Sequence, residues 1–198
     1  PEDRARARVL WAEVERPLAE RAAAGNPRAA YLVATVRLGA VGRAADLEAA
    51  KALLEMASKA PPFPEQSWVF HNLAWMRETG RGFPASAKAA IGGYRRAAEL
   101  GNVVSRYDLG RVLLSTGPIA DCQEGLRHLE TSSAAGNTEA TAYLGKSLLF
   151  GGGSCLEPNA LAALPHLERA AQAGEYGAAY DLGFALLSGS DPRRAVEV

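Results

Sequence analysis

The sequence predicts an all-α solenoid of stacked antiparallel helix pairs, because two short phrases recur in register along its 198 residues. The first closes a helix each time: Arg21-Ala-Ala-Ala-Gly25-Asn, Ala97-Ala-Glu-Leu-Gly101-Asn, Ser132-Ser-Ala-Ala-Gly136-Asn and Ala170-Ala-Gln-Ala-Gly174-Glu. Gly101 to Gly136 is 35 residues, Gly136 to Gly174 is 38, and Gly25 to Gly101 is 76, room for two copies. Periods of this size mark supersecondary units that bury their apolar faces by stacking. The second phrase opens a helix: Ala30-Tyr-Leu-Val33, His71-Asn-Leu-Ala74, Tyr107-Asp-Leu-Gly110, Ala142-Tyr-Leu-Gly145 and Tyr180-Asp-Leu-Gly183, at steps of 41, 36, 35 and 38. Glycine inside a helix costs about 1 kcal/mol against alanine. Its return after Leu at Gly110, Gly145 and Gly183 therefore predicts close approach of another helix.

The elements follow in order. A leading helix over about Arg4–Ala24 carries Leu10, Trp11, Val14 and Leu18 at helical spacing. Repeat one (26–61) places helices at Pro27–Leu38 and Asp46–Lys59, ended by the Pro61–Pro64 run. Repeat two (65–101) places them at Glu65–Glu78 and Pro84–Leu100, with proline tolerated at a helix start because its missing N–H would be unpaired there anyway. Repeat three (102–136) reads Val103–Ser115 and Asp121–Ala135, and repeat four (137–174) reads Asn137–Phe150 and Asn159–Ala173. A partial last repeat (175–198) has Tyr176–Leu187 and the start of a partner at Asp191–Val198. Pro17 and Pro165 fall inside helices and predict a kink or a late start, since proline removes a backbone hydrogen bond and clashes with the preceding turn.

Charge and composition narrow the function. The 22 basic and 22 acidic residues cancel, which removes any general attraction to nucleic acid or anionic lipid. No apolar run approaches the roughly 20 residues that span a bilayer. The chain opens at Pro1 without Met or a signal-like apolar block, the expectation for a trimmed or processed fragment. His71, His128 and His166 come without metal-ligand spacing, and Gly151-Gly-Gly-Ser154 lacks the Gly-Lys-Ser/Thr that would make it a phosphate loop. His128 and His166 share a register eight residues before a closing glycine and are expected to stack. An enzyme, a metal site and a cofactor are not expected.

The Ala-x-Tyr-x-Leu-Gly phrase, a Gly-rich turn and the closing Ala-Ala-x-x-Gly resemble the SEL-one-like repeat, a relative of the tetratricopeptide repeat. Ser105–Gly136 and Ala140–Gly174 carry the likeness best. It departs where Val33 stands for glycine and where Ser132-Ser133 stand for Ala-Ala. The resemblance implies a right-handed α-solenoid and a non-catalytic scaffold or adaptor that binds a partner protein in a concave groove. It also implies an alternative, an immunity protein that neutralises a secreted bacterial toxin.

Residues two before, two after and five after each core Leu fall opposite the packed stripe. This selects His71, Trp75 and Glu78; Tyr107, Arg111 and Leu114; Ala142, Lys146 and Leu149; and Tyr180, Phe184 and Leu187, with Trp68 one turn earlier. Tyr, Trp and Arg are the side chains enriched in binding hot spots. The predicted partner-binding set is Trp68, His71, Trp75, Tyr107, Arg111, Lys146, Tyr180 and Phe184. For Tyr107 and Tyr180 core packing is the competing reading and the favoured one. The expected partner is another protein, with no nucleic acid and no membrane span, and the chain itself is expected to be a monomer.

Cys122 and Cys155 lie in or beside the inter-helix turns of consecutive repeats, 12 and 10 residues after Gly110 and Gly145. Helices of neighbouring repeats sit about 8–10 Å apart, whereas a disulfide needs Cα atoms within about 7 Å. A bridge therefore requires the turns to lean together, and a pair of reduced thiols is the rival. A bridge would indicate an oxidising compartment, here the periplasm, against the cytoplasm for free thiols.

Overall fold

The computed structural model describes residues 2–40, 46–116, 118–153 and 155–188, with 2–12, 40, 120 and 188 described by backbone alone. Ten α-helices lie among these residues: α1 (Glu2–Ala23), α2 (Pro27–Thr35), α3 (Leu47–Ser58), α4 (Gln66–Thr79), α5 (Ala87–Glu99), α6 (Val103–Thr116), α7 (Ile119–Ala134), α8 (Thr138–Phe150), α9 (Ala160–Gln172) and α10 (Tyr176–Ser188). Extended pairing among them is a single isolated bridge between Gly152 and Leu156. The segment Asp191–Val198, expected to begin a further helix, lies outside the described residues.

The recurring Gly-Asn dipeptide ends one helix and begins the next. Gly25, Gly101, Gly136 and Gly174 all have φ between 87° and 89°, a left-handed conformation that glycine adopts without steric cost. At Gly136 the glycine N–H donates to the Ser133 carbonyl and the Asn137 N–H to the Ser132 carbonyl, both at 3.1 Å. The same paired closure surrounds Gly25 and Gly174, so the carbonyls left over at each helix end are satisfied. The next residue then opens the following helix. Oδ1 of Asn26, Asn102 and Asn137 accepts from the N–H of Ala29, Ser105 and Ala140, each at 2.9 Å. Asparagine is favoured at this position because its short amide reaches an otherwise unpaired N–H. Repeat one, without the glycine, ends differently: Gln66 Nε2 donates to the Ala60 carbonyl at 3.1 Å.

Several boundaries move for local reasons. Helix α2 passes at Val36 into a π-type turn that runs to Ala40, where Gly39 has φ 96°, so the helix expected to reach Leu38 is not regular to its end. Helix α5 starts at Ala87 instead of Pro84, because Ser86 caps it by accepting from the Ala89 N–H at 3.1 Å. Helix α7 starts at Ile119, two residues before Asp121, directly after Pro118. Neither internal proline delays its helix: α1 continues through Pro17 and α9 through Pro165. Both prolines lie on exposed faces, where water can hydrate the carbonyl that loses its partner.

The chain divides into two compact units, Pro1–Gly101 and Asn102–Val198. In the first, Ala30, Ala34, Leu54, Val69, Leu73 and Met76 form the core between α2, α3 and α4. In the second, Leu114, Cys122, Leu129, Ala140 and Leu144 form one cluster, and Leu149, Ala163, Leu167, Leu182 and Leu186 form another. Consecutive helices pack on each other throughout each unit. In the second unit α8 also packs beside both α6 and α10, so its first helices form a layer of their own.

Small residues set the pair spacing. A Cβ on Gly110 would stand 2.6 Å from Leu129 Cγ and 2.7 Å from the Gly125 carbonyl, and one on Gly125 would meet the Gly110 carbonyl at 2.8 Å. Helices α6 and α7 thus touch backbone to backbone at two glycines. Gly145 is pressed by Leu167 at 2.8 Å in the same way. In α4 and α5 the roles are exchanged: Ala74 follows the Leu, and the glycine is Gly93, whose Cβ position lies 2.9 Å from Ala74 Cβ. At Gly183 the expected close approach is missing, since no described atom comes within 4 Å of the Cβ position.

Candidate functional site

The layer of first helices in the second unit holds a cleft of about 350 Å³, lined by Tyr107 from α6, Glu139, Ala142, Tyr143 and Lys146 from α8, and Glu175, Gly177, Ala178 and Asp181 at or on α10. Its walls follow from the repeat register. Tyr107, Ala142 and Tyr180 are equivalent positions, and so are Asp108, Tyr143 and Asp181 one residue later. Tyr107 and Tyr143 meet edge to face with centroids 6.1 Å apart, an arrangement favoured by the ring quadrupoles. Glu139 sits in the first turn of α8 and Glu175 just ahead of α10, ends at which the helix dipole favours negative charge.

Charge is passed between successive repeats. Arg111 lies within reach of both tyrosines, and its Nη2 is 3.3 Å from Asp108 Oδ1. Burial raises the hydroxyl pKa of Tyr107 and Tyr143, and the Arg111 guanidinium opposes that rise. Burial likewise pushes the Asp181 carboxyl up, and Lys146, at the Arg111 position of the preceding repeat, acts against it. Both tyrosines remain neutral hydrogen-bonding rings at physiological pH.

Of the residues selected from sequence, Tyr107 and Lys146 line this cleft together with Ala142. Tyr107 also packs against the core cluster of Leu114 and Leu144, so it lines the cleft and covers the core at once. Tyr180 is 77% exposed, which corrects the expectation that it is core. Phe184, also exposed, stacks at 5.4 Å on Phe150. Leu114 and Leu149 are buried in core clusters, not on the inner face, because the position five after Leu already turns toward the second helices.

The first unit treats its selected residues differently. Trp68 is exposed and meets His71 edge on at 5.2 Å. His71 and Glu78 turn toward α5: the His71 ring lies 5.7 Å from that of the fully buried Tyr94, whose hydroxyl donates to Glu78 Oε2 at 2.7 Å. Burial lowers the His71 pKa to about 4, against the pull of Glu78. Trp75 packs on the core of this unit with the Arg81 guanidinium 4.9 Å from its ring centre, so it is a packing residue and not the freely presented anchor expected. His128 Nε2 is 3.6 Å from Glu124 Oε1, and the His166 Cβ lies against Gly145.

Cys122 and Cys155 form a disulfide with Cα atoms 5.9 Å apart, across 33 residues of sequence. The turn after α8 leans over the start of α7 because its glycines allow it. Gly153, at φ 60°, lies directly against the Leu114 carbonyl with Cys122 Sγ 3.0 Å from its Cβ position, a space that no side chain could share. The run Gly151–Gly153, which made no sense as a phosphate loop, is what brings Cys155 to Cys122.

Sequence reasoning missed Tyr143, Glu139, Glu175 and Asp181 in the cleft. The signal was the aligned phrase itself, in which Tyr143 and Asp181 occupy one register position. Among the described residues no group of His, Cys, Asp and Glu is placed to hold a metal, and no helix is long and apolar enough to cross a membrane.

The Sel1 repeat pattern matches residues 27–61, 71–102, 103–137 and 138–175, four copies over most of the chain. The chain belongs to the Sel1 repeat family. Such proteins are generally protein-interaction scaffolds, and the fold is typically non-catalytic. Among solved structures, a Sel1 repeat protein from Oxalobacter formigenes is similar with a TM-score of 0.69 at 21% identity, over 93% of this chain and 75% of that one. A protective antigen present in uropathogenic Escherichia coli strains, displaying an SLR fold, is similar with a TM-score of 0.76 at 23% identity, over 92% of this chain and 39% of that one. At these identities the likeness is one of fold. A comparison with curated proteins found no match.

Proposed function

We propose that this Sel1 repeat chain is a non-catalytic adaptor that holds a segment of a partner protein in the inner cleft of its second unit. The observation that carries this reading is the cleft of about 350 Å³, whose tyrosines and charged groups come from three successive first helices. Aromatic rings with a polar tip, set beside charges in a concave surface, are the usual make-up of a binding hot spot. The Cys122–Cys155 disulfide supports a periplasmic setting, since such bonds persist in oxidising compartments. An adaptor that works there as a monomer is the form we expect.

Site-specific photo-crosslinking tests the reading. A photoreactive residue at Ala142, inside the cleft, is expected to capture one partner from the envelope fraction of the source cell. The same residue at Gln123, exposed on α7, is expected to capture none, and Gly177→Trp, which fills the cleft with an uncharged ring, should abolish the Ala142 product. A partner captured only from Gln123, or one insensitive to Gly177→Trp, would place binding elsewhere. Loss of a partner enzyme's activity on binding would turn the adaptor into an inhibitor of the immunity type.

A further inference from the structure

The cleft of the second unit is not electrically balanced. Three carboxylates line it, Glu139, Glu175 and Asp181, against the single ammonium of Lys146, while the Arg111 guanidinium near the two tyrosines has Asp108 at 3.3 Å. Two of the three sit at helix N-termini, where the dipole favours their charge. Asp181 does not. It lies mid-helix in α10, is 9% exposed, and lines the cleft without a hydrogen bond or ion pair to any described residue. Removing a carboxylate from water without pairing it is costly. Lys146 moderates that cost from a distance but forms no ion pair with Asp181 among the described residues. The structure therefore keeps an unpaired, partly desolvated acceptor at the edge of an open cavity, with two tyrosine rings among its walls.

The geometry points to an arginine side chain of the partner segment as the group that fills this cleft, its guanidinium paired with Asp181 and flanked by Tyr107 and Tyr143. The assignment rests on the adaptor reading, which supplies the partner. Guanidinium fits the site on three counts. It offers a planar fork of donors to a carboxylate, it is weakly hydrated and so enters a half-buried cleft readily, and it stacks on aromatic rings. Glu139 and Glu175 add long-range attraction at the rim. An acidic segment would face the same three carboxylates and be repelled.

The test uses the intact, disulfide-bonded protein and two blocked pentapeptides of alanine with a central arginine or its neutral isostere citrulline, titrated while backbone amides are followed by NMR. The arginine peptide is expected to shift the amides of Tyr107, Tyr143 and Asp181, and to bind at least about tenfold more tightly than the citrulline peptide. Asp181→Asn, nearly isosteric and free of core hydrogen bonds, should keep the helical signal and lose about tenfold in affinity for arginine. Glu157→Gln in the α8–α9 turn should change nothing. Equal binding of the two peptides, or wild-type affinity in Asp181→Asn, overturns the assignment. If Asp181→Asn still yields the Ala142 crosslink, the arginine assignment fails and the adaptor reading survives. If the arginine peptide binds as described while no partner crosslinks from Ala142, the reverse holds.

Discussion

The first unit closes its α4–α5 pair around a buried ring beside a single glycine, Gly93, whereas the second closes α6–α7 around two glycines and locks the result with a disulfide. In the first, Tyr94 is fully buried with its hydroxyl on Glu78 and its ring beside His71. In the second, Gly110 and Gly125 bring two backbones together, and Cys122 ties the pair to the following turn. The repeat phrase is the same in both. The difference teaches that the register specifies where helices cross, while the means of holding the crossing is free to vary and with it the side chains left over for binding. Where side chains are used for closure, as with His71 and Glu78 around Tyr94, they are drawn away from the inner face. Where glycine and a disulfide do the closing, Tyr107, Tyr143 and Asp181 are left to line a cleft.

The largest effect should come from the disulfide. Reduction, or Cys155→Ser, frees a 33-residue separation and should cost the second unit about 3–4 kcal/mol in the chain-entropy picture. Hydrogen exchange should then show lost protection in α6–α9 with α2–α5 unchanged, and an equal loss in both units would break the comparison. Smaller but more local is the glycine contact. Gly110→Ala forces a Cβ to 2.6 Å from Leu129 and should cost about 1–3 kcal/mol as overpacking. Gly183→Ala, at the same phrase position but with open space, should instead stabilise by about 0.5–1 kcal/mol through helix propensity. Denaturant melts of the two variants that moved in the same direction would show that the phrase position, not the crossing, matters.

Acid should weigh more on the first unit, through His71, although burial also lowers the His166 pKa in the second. His71 has its pKa lowered from 6.5 to about 4 by burial, so between those values the unfolded chain takes up a proton that the folded chain refuses. The stability this group contributes is complete above pH 6.5 and is lost as pH falls toward 4. On the order of 1 kcal/mol should disappear, since the ring is only partly shielded from solvent. Thermal melts of His71→Gln should be flatter over that window, and a His71→Gln profile parallel to wild type would remove the ring from the account.

Much of this architecture was legible because its determinants are local. A glycine at φ near 88° and an asparagine that caps the next N-terminus act through hydrogen bonds spanning three to five residues, so their spacing announces each helix end. The Leu-Gly phrase likewise marks the crossing, because only a small residue admits a second backbone. Boundaries slipped where a neighbour of equal local strength competed, as Ser86 did with Pro84.

The binding surface was legible only in part. Tyr107 and Lys146 were found from their place opposite the core stripe, but Trp75 and His71 occupy the equivalent positions in α4 and are drawn into packing by α5 and Arg81. Sequence alone thus determined the helix pairs, their register and the candidate inner face, since these arise from contacts within one or two turns. Tertiary structure decided which inner side chains line the cleft, whether Cys155 reaches Cys122, and that Asp181 stands in the cleft wall. Those outcomes depend on distances between residues about one repeat period apart, where a shift of a few ångströms separates a bond from a gap and no local rule sets the distance.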